Sequence, residues 1–147
     1  LLFFSPTSVF AEEIKDVGLI CKLNVGKDPQ FSGVWFKGDQ KMEWYVGDGS
    51  DRDKDGNTFE ISYWEEWSNE WKYNTTKNEI RFHYYYEGER YSDWSKKLDR
   101  FTLEMKEFYF ESEYTHQCEI FDTKLDFNNG LKKKEEIVRR HFEKRKI

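Results

Sequence analysis

Trp71-Lys72-Tyr73-Asn74-Thr75-Thr76-Lys77-Asn78-Glu79-Ile80-Arg81-Phe82-His83-Tyr84-Tyr85-Tyr86 reads as a β-hairpin. Ile80, Phe82, Tyr84 and Tyr86 alternate with Arg81, His83 and Tyr85, which gives the second arm one apolar face with a period of two. Trp71 and Tyr73 supply the first arm, and Thr75 to Asn78 carries the small polar residues of a turn. An amphipathic helix would need its apolar residues three and four apart, and this spacing does not offer that.

The same period runs outward from the hairpin, from Val17 to Phe121. Upstream, Val17, Leu19, Cys21 and Leu23 share a face, a turn at Pro29 leads to Gly33-Val34-Trp35-Phe36, and Gly38-Asp39-Gln40 turns into Met42, Trp44 and Val46. Phe59, Ile61 and Tyr63 then face one way, with Glu60, Ser62 and Trp64 facing the other. Downstream, Glu87-Gly88-Glu89 turns into a strand with Trp94 and Leu98 on one face, followed by Phe101, Leu103 and Met105, and by Tyr114 to Phe121. Eight or nine short strands at this spacing predict an all-β antiparallel meander, closed or nearly closed into a barrel. An open, strongly curved sheet is the competing arrangement, and closure has the advantage of removing exposed edges.

Composition agrees with strands. The chain carries six Trp, nine Tyr and thirteen Phe, and its sole alanine is Ala11. Bulky aromatics suit pleated surfaces, and the strongest helix former is almost missing. A charged fraction of 36% would fit disorder, but disordered chains lack aromatics in this quantity. A length of 147 residues suits one domain.

Leu1-Leu2-Phe3-Phe4 through Val9-Phe10-Ala11, followed at once by Glu12-Glu13, has the pattern of the back half of a secretory signal peptide cut after Ala11. A buried N-terminal strand or helix is the alternative. The expected organisation is therefore a signal remnant over 1–11, a β-barrel-like domain over 12–127 and a basic helix over 128–147. Nothing after Ala11 approaches the ~20 apolar residues of a membrane-spanning helix. An exported chain with an even number of cysteines predicts a Cys21–Cys118 disulfide, against two buried thiols. The expected location is periplasmic or secreted.

Asn128-Asn129-Gly130 is read as the end of the β region, and Leu131 to Ile147 as one helix. That segment holds eight Lys or Arg and three Glu, so the rest of the chain must be strongly acidic to leave the net −5. Its apolar stripe is thin, formed by Leu131, Ile137, Val138 and Phe142, which predicts a helix lightly docked or frayed.

Trp94-Ser95-Lys96-Lys97-Leu98-Asp99-Arg100-Phe101-Thr102-Leu103-Glu104-Met105, followed by Gln117-Cys118-Glu119-Ile120-Phe121, resembles a group of small exported proteins of marine Pelagibacter-like bacteria. The resemblance runs from about Cys21 to the C-terminus; it implies export and a β fold and carries no activity. Phe31-Ser32-Gly33-Val34-Trp35-Phe36 is similar to the Gly-x-Trp signature of lipocalins, although here it falls on the second strand. Fold analogy alone would not license a ligand.

Several constellations could carry function. Asp51, Asp53 and Asp55, followed by Gly56, have the alternating-carboxylate spacing of a calcium loop, but the twelfth position is Ser62 and not Glu, and Arg52 and Lys54 offset charge. A solvated hairpin loop is the competing reading. No other cofactor is implied. Trp44, Phe59, Tyr63, Phe82 and Tyr84 are expected to point inwards, either lining a cavity for a small apolar or aromatic ligand or simply filling the barrel. The three histidines do not cluster with carboxylates at metal spacing, and neither a Gly-x-Ser-x-Gly elbow nor a phosphate-cradling loop is present. Overall acidity argues against a nucleic-acid partner. The expectation is a non-catalytic binding module for a small apolar or aromatic ligand. The alternative is an envelope protein–protein or surface interaction module that meets an anionic partner through the basic tail.

Overall fold

The computed structural model describes residues 13–24, 26, 28–47 and 59–144. The predicted signal segment and Asp51, Asp53 and Asp55 lie outside the described residues. The elements follow in the order β1 (Val17–Leu23), β2 (Gln30–Gly38), β3 (Lys41–Gly47), β4 (Ile61–Trp64), α1 (Glu65–Glu70), β5 (Trp71–Thr75), β6 (Glu79–Tyr86), β7 (Glu89–Asp99), β8 (Glu104–Tyr109), β9 (Ser112–Phe121) and α2 (Lys124–Glu143).

All the strands belong to one antiparallel nine-stranded sheet in the spatial order β4-β3-β2-β1-β9-β8-β7-β6-β5. It is a meander curled into a nearly closed barrel. First and last strands pair along their length, with Gly18 opposite Phe121 and Leu23 opposite His116. Cys21 and Cys118 are direct cross-strand partners in that ladder and form the expected disulfide.

The seam falls mid-chain, between β4 and β5, which are not paired. Here α1 intervenes, an element the alternation does not announce. Its buried Ser68 accepts a hydrogen bond from the Trp44 N–H at 2.8 Å and donates one to the Trp64 carbonyl at 2.6 Å. One hydroxyl thus bridges two backbone groups that face each other at the β3–β4 end, leaving neither unpaired. Across the seam the Trp44 and Trp71 rings meet edge-on at 5.8 Å.

The concave face is filled towards one end. Leu19, Val34, Phe36, Met42, Tyr73, Ile80, Phe82, Leu98 and Met105 are buried together there, with Ile14 packed against them. The Tyr73 hydroxyl donates to the Ile14 carbonyl and accepts from the Gly38 N–H, so the buried phenol is satisfied. At the adjoining β2–β3 turn, Asp39 and Gln40 both have positive φ, which matches the twist of the hairpin arms.

A second core lies on the convex face, beneath α2. The helix starts at Lys124, seven residues before the expected Leu131, because Thr123 caps it by accepting from the Asp126 N–H at 3.1 Å. Asn128-Asn129-Gly130 is therefore helix and not its boundary. Gly130 serves close approach: a Cβ there would lie 2.8 Å from Ile20 Cδ1 and 2.9 Å from the Phe121 ring. The helix is firmly docked, contrary to the expectation from its thin stripe. Phe127, Leu131, Val138 and Phe142 are buried against Ile20, Phe31, Trp35, Phe59 and Ile61, while Ile137 is exposed.

Charged residues of α2 contribute to that docking. Glu135 accepts from the Ile61 N–H at 2.8 Å, and Arg139 donates to the Phe59 carbonyl at 2.9 Å, so they occupy backbone groups at the start of β4. Lys124 donates to Glu43 and to the Tyr45 hydroxyl, and lies over the Trp35 ring. Among the described residues, no helix is long and apolar enough to cross a membrane.

Candidate functional site

Opposite the filled end, the concave face opens into a half-open cavity of about 330 Å³ that extends to Val138 and Phe142 of α2. Its apolar lining includes Phe31, Trp44, Phe59, Trp67, Trp94 and Phe142; Lys96, Glu107 and His116 form a polar wall, and Asp28, Gln30 and Ser32 add polar groups elsewhere on the lining. That size is at the lower end of small-molecule sites, which run from roughly 300 to 1,000 Å³.

Strand register assembles the polar wall. Lys96 on β7 is the direct cross-strand partner of Glu107 on β8. His116 on β9 pairs with Met105, two residues before Glu107, and so lies diagonal to Glu107 on the same face. Glu107 accepts from Trp94 Nε1–H at 2.8 Å and from His116 Nε2 at 2.9 Å, and Lys96 Nζ lies 3.7 Å from its Oε2. The Lys96 ammonium sits over the Trp44 ring at 4.4 Å and the Trp71 ring at 5.3 Å. Lys96 and His116 are both buried.

Burial alone would raise the Glu107 pKa, but the His116 hydrogen bond, the Lys96 charge and the Trp94 hydrogen bond together bring it down to about 2. Glu107 is therefore ionised, and His116 must carry its proton on Nε2 to donate to it. Desolvation works the other way on Lys96 and lowers its pKa, with Glu107 partly offsetting the effect. The wall is an ion pair with an oriented imidazole, held in an indole box. Trp67 and Trp71 both pack edge-on against Trp94, at 5.3 Å and 5.0 Å.

Four buried side-chain nitrogens have no partner among the described residues: Trp44 Nε1 and His116 Nδ1 on residues that line the cavity, and Trp71 Nε1 and Arg139 Nε on residues that do not. The indole nitrogens are donors only, and His116 Nδ1 is the ring nitrogen left over from the bond to Glu107.

The sequence-predicted aromatics distribute unevenly around this cavity. Trp44 lines it, Phe82 lies fully buried in the concave core and packs on Trp44 at 6.0 Å, and Tyr84 packs on Trp94 and Trp71 while donating to Glu70 of α1. Phe59 and Tyr63 do not point inwards as expected. The β3–β4 register places Tyr63 opposite Tyr45 and Ser62 opposite Val46, so Ser62 and Trp64 share the face of Trp44, while Phe59, Ile61 and Tyr63 take the convex face. Phe59 packs under α2 and reaches the cavity from that side, whereas Tyr63 is exposed beside Tyr45.

Trp67, Trp94, Lys96, Glu107 and His116 were not singled out together from sequence. A signal did exist: Lys96 sits between Trp94 and Leu98 on an otherwise apolar face, and His116 has the same parity as Cys118. Among the described residues no group of three His, Cys, Asp or Glu could hold a metal ion. No protein-family model matches the chain, and no curated protein or solved structure matches it.

Proposed function

We propose that this protein is a non-catalytic binding module that takes a small apolar or aromatic molecule into the cavity of its curled sheet. The observation supporting it is that cavity of about 330 Å³, in which indole and phenyl rings face one short polar wall. Such a division suits a flat molecule that is apolar over most of its surface and polar at one end. Export to the periplasm or beyond belongs to the same proposal, supported by the Cys21–Cys118 disulfide, since such bonds persist in oxidising compartments.

The test is titration of tryptophan emission with a neutral planar probe, 2-naphthamide, in the wild type and in Ser32→Phe. Ser32 lines the cavity on the face shared with Val34 and Phe36, so a phenyl group there occupies the binding volume. Saturable quenching weakened at least tenfold in the variant, with far-UV circular dichroism unchanged, is expected. Absence of saturable quenching in the wild type, both with 2-naphthamide and with the corresponding acid, 2-naphthoate, would remove the proposal.

A second reading, as an envelope protein or surface contact module, draws on the exposed aromatics Tyr86, Tyr109 and Phe110 beside the β6–β7 and β8–β9 turns. Exposed rings grouped in this way favour contact with another surface. Serine at all three positions would abolish envelope co-sedimentation under this reading and leave naphthamide binding intact.

A further inference from the structure

We propose that the cavity is specific for small planar acids, with Lys96 and the indole N–H of Trp44 receiving the carboxylate. This rests on the binding reading above and names the ligand's chemical class.

Two carboxylates line the cavity, and both are engaged: Glu107 accepts from Trp94 with one oxygen and from His116 with the other, and Asp28 accepts from His141. What is left over consists largely of donors. Trp44 Nε1–H has no partner among the described residues, and its ring lies beneath the Lys96 ammonium. Lys96 itself has three N–H bonds to place, and its only ion-pair partner among the described residues stands at 3.7 Å, beyond ordinary hydrogen-bond length. Buried donors left unmade are costly, and an acceptor group brought by a ligand would recover that cost.

The same geometry argues against the opposite charge. A box of tryptophans with a carboxylate beside it is the usual receiver for a quaternary ammonium. Here the face of Trp44 is already occupied by the protein's own cation at 4.4 Å, so an incoming cation would meet Lys96 instead of an open ring. A neutral apolar molecule would leave the donors unmade. A carboxylate on one or two fused rings answers both parts of the cavity.

The experiment compares three probes of one shape on the wild-type protein by isothermal titration calorimetry at pH 7: 2-naphthoate, 2-naphthamide and 2-naphthyltrimethylammonium. The expected order is the acid at least tenfold tighter than the amide, with the cation not binding. The Lys96→Met/Glu107→Gln double variant removes the ion pair without stranding either charge and should bring acid and amide within threefold of each other. Amide binding as tight as acid, or cation tighter than both, overturns the acid class while the binding reading stands. No binding of any probe overturns both. A tenfold acid preference that survives in a folded double variant overturns the role given to Lys96. The wild-type series decides the ligand class even where the double variant does not fold.

Discussion

At Glu107, side chains from three neighbouring strands converge: Trp94 and Lys96 from β7 and His116 from β9 meet one carboxylate on β8. Its pKa in the fold is about 2 against an ordinary value of 4.5. A carboxyl group depressed in this way contributes its full stability above the unfolded value and loses it as the pH falls towards the folded one. The window therefore runs from about pH 5 down to about pH 2, and the contribution is on the order of 3 kcal/mol. Urea unfolding across that range should show the wild type losing about this much more stability than Glu107→Gln. At pH 7 the same variant leaves Lys96 buried without its carboxylate and should cost roughly 3 to 5 kcal/mol. Parallel pH profiles for the two proteins would contradict the assignment. Lys96 and His116 were legible as residues on an inward face, but the partner of each was not. Lys96 meets Glu107 through the β7–β8 register, and spacing along the chain does not specify which residue lies opposite.

Among the elements, α2 departs most from what its composition implies. A 20-residue helix with five buried positions stays docked because each one is well used. Phe127 is fully buried among Trp35, Tyr45 and Phe121, and Phe127→Ala should cost about 3 to 5 kcal/mol in urea unfolding at pH 7. A loss below 1 kcal/mol would mean that the helix is only loosely held. Gly130→Leu drives a side chain into Ile20 and Phe121 and should destabilise by about 1 to 3 kcal/mol, although leucine is the better helix former. The cap was readable in principle as Thr123-x-x-Asp126, a polar N-cap followed by a first-turn acid. Asn128-Asn129-Gly130 masked it, since that tripeptide usually marks a turn. The smaller helix α1 depends similarly on Ser68. Ser68→Ala strips a partner from the Trp44 N–H and the Trp64 carbonyl, and a loss of about 1 to 3 kcal/mol is expected from the same measurement.

For the molecule as a whole, the disulfide and the β1–β9 ladder hold the two ends of the meander together. Cys118 lies 97 positions after Cys21. Loop-closure entropy for a separation of this size is worth about 4 to 5 kcal/mol. The Cys21→Ala/Cys118→Ala variant should lose up to about that much in urea unfolding and keep its near-ultraviolet circular dichroism at low denaturant, because the ladder pairing persists without the bond. An unchanged unfolding midpoint would show that the bond adds no net stability to the fold.

Fold class, strand number, hairpin positions and the cysteine pairing followed from the sequence, because period-two alternation and an even cysteine count are local or global properties of the chain itself. Tertiary structure decided the rest. Register put Tyr63 on the convex face, because residues directly opposite one another must share a face and Tyr45 stands opposite Tyr63. Closure at β1–β9 with a seam at β4–β5 left one end of the concave face filled and the other hollow. The β7–β8 and β8–β9 registers gathered Lys96, Glu107 and His116 from three strands into one wall, which no local spacing encodes, since each strand contributes a single residue whose partners are chosen by hydrogen-bonded pairing between strands.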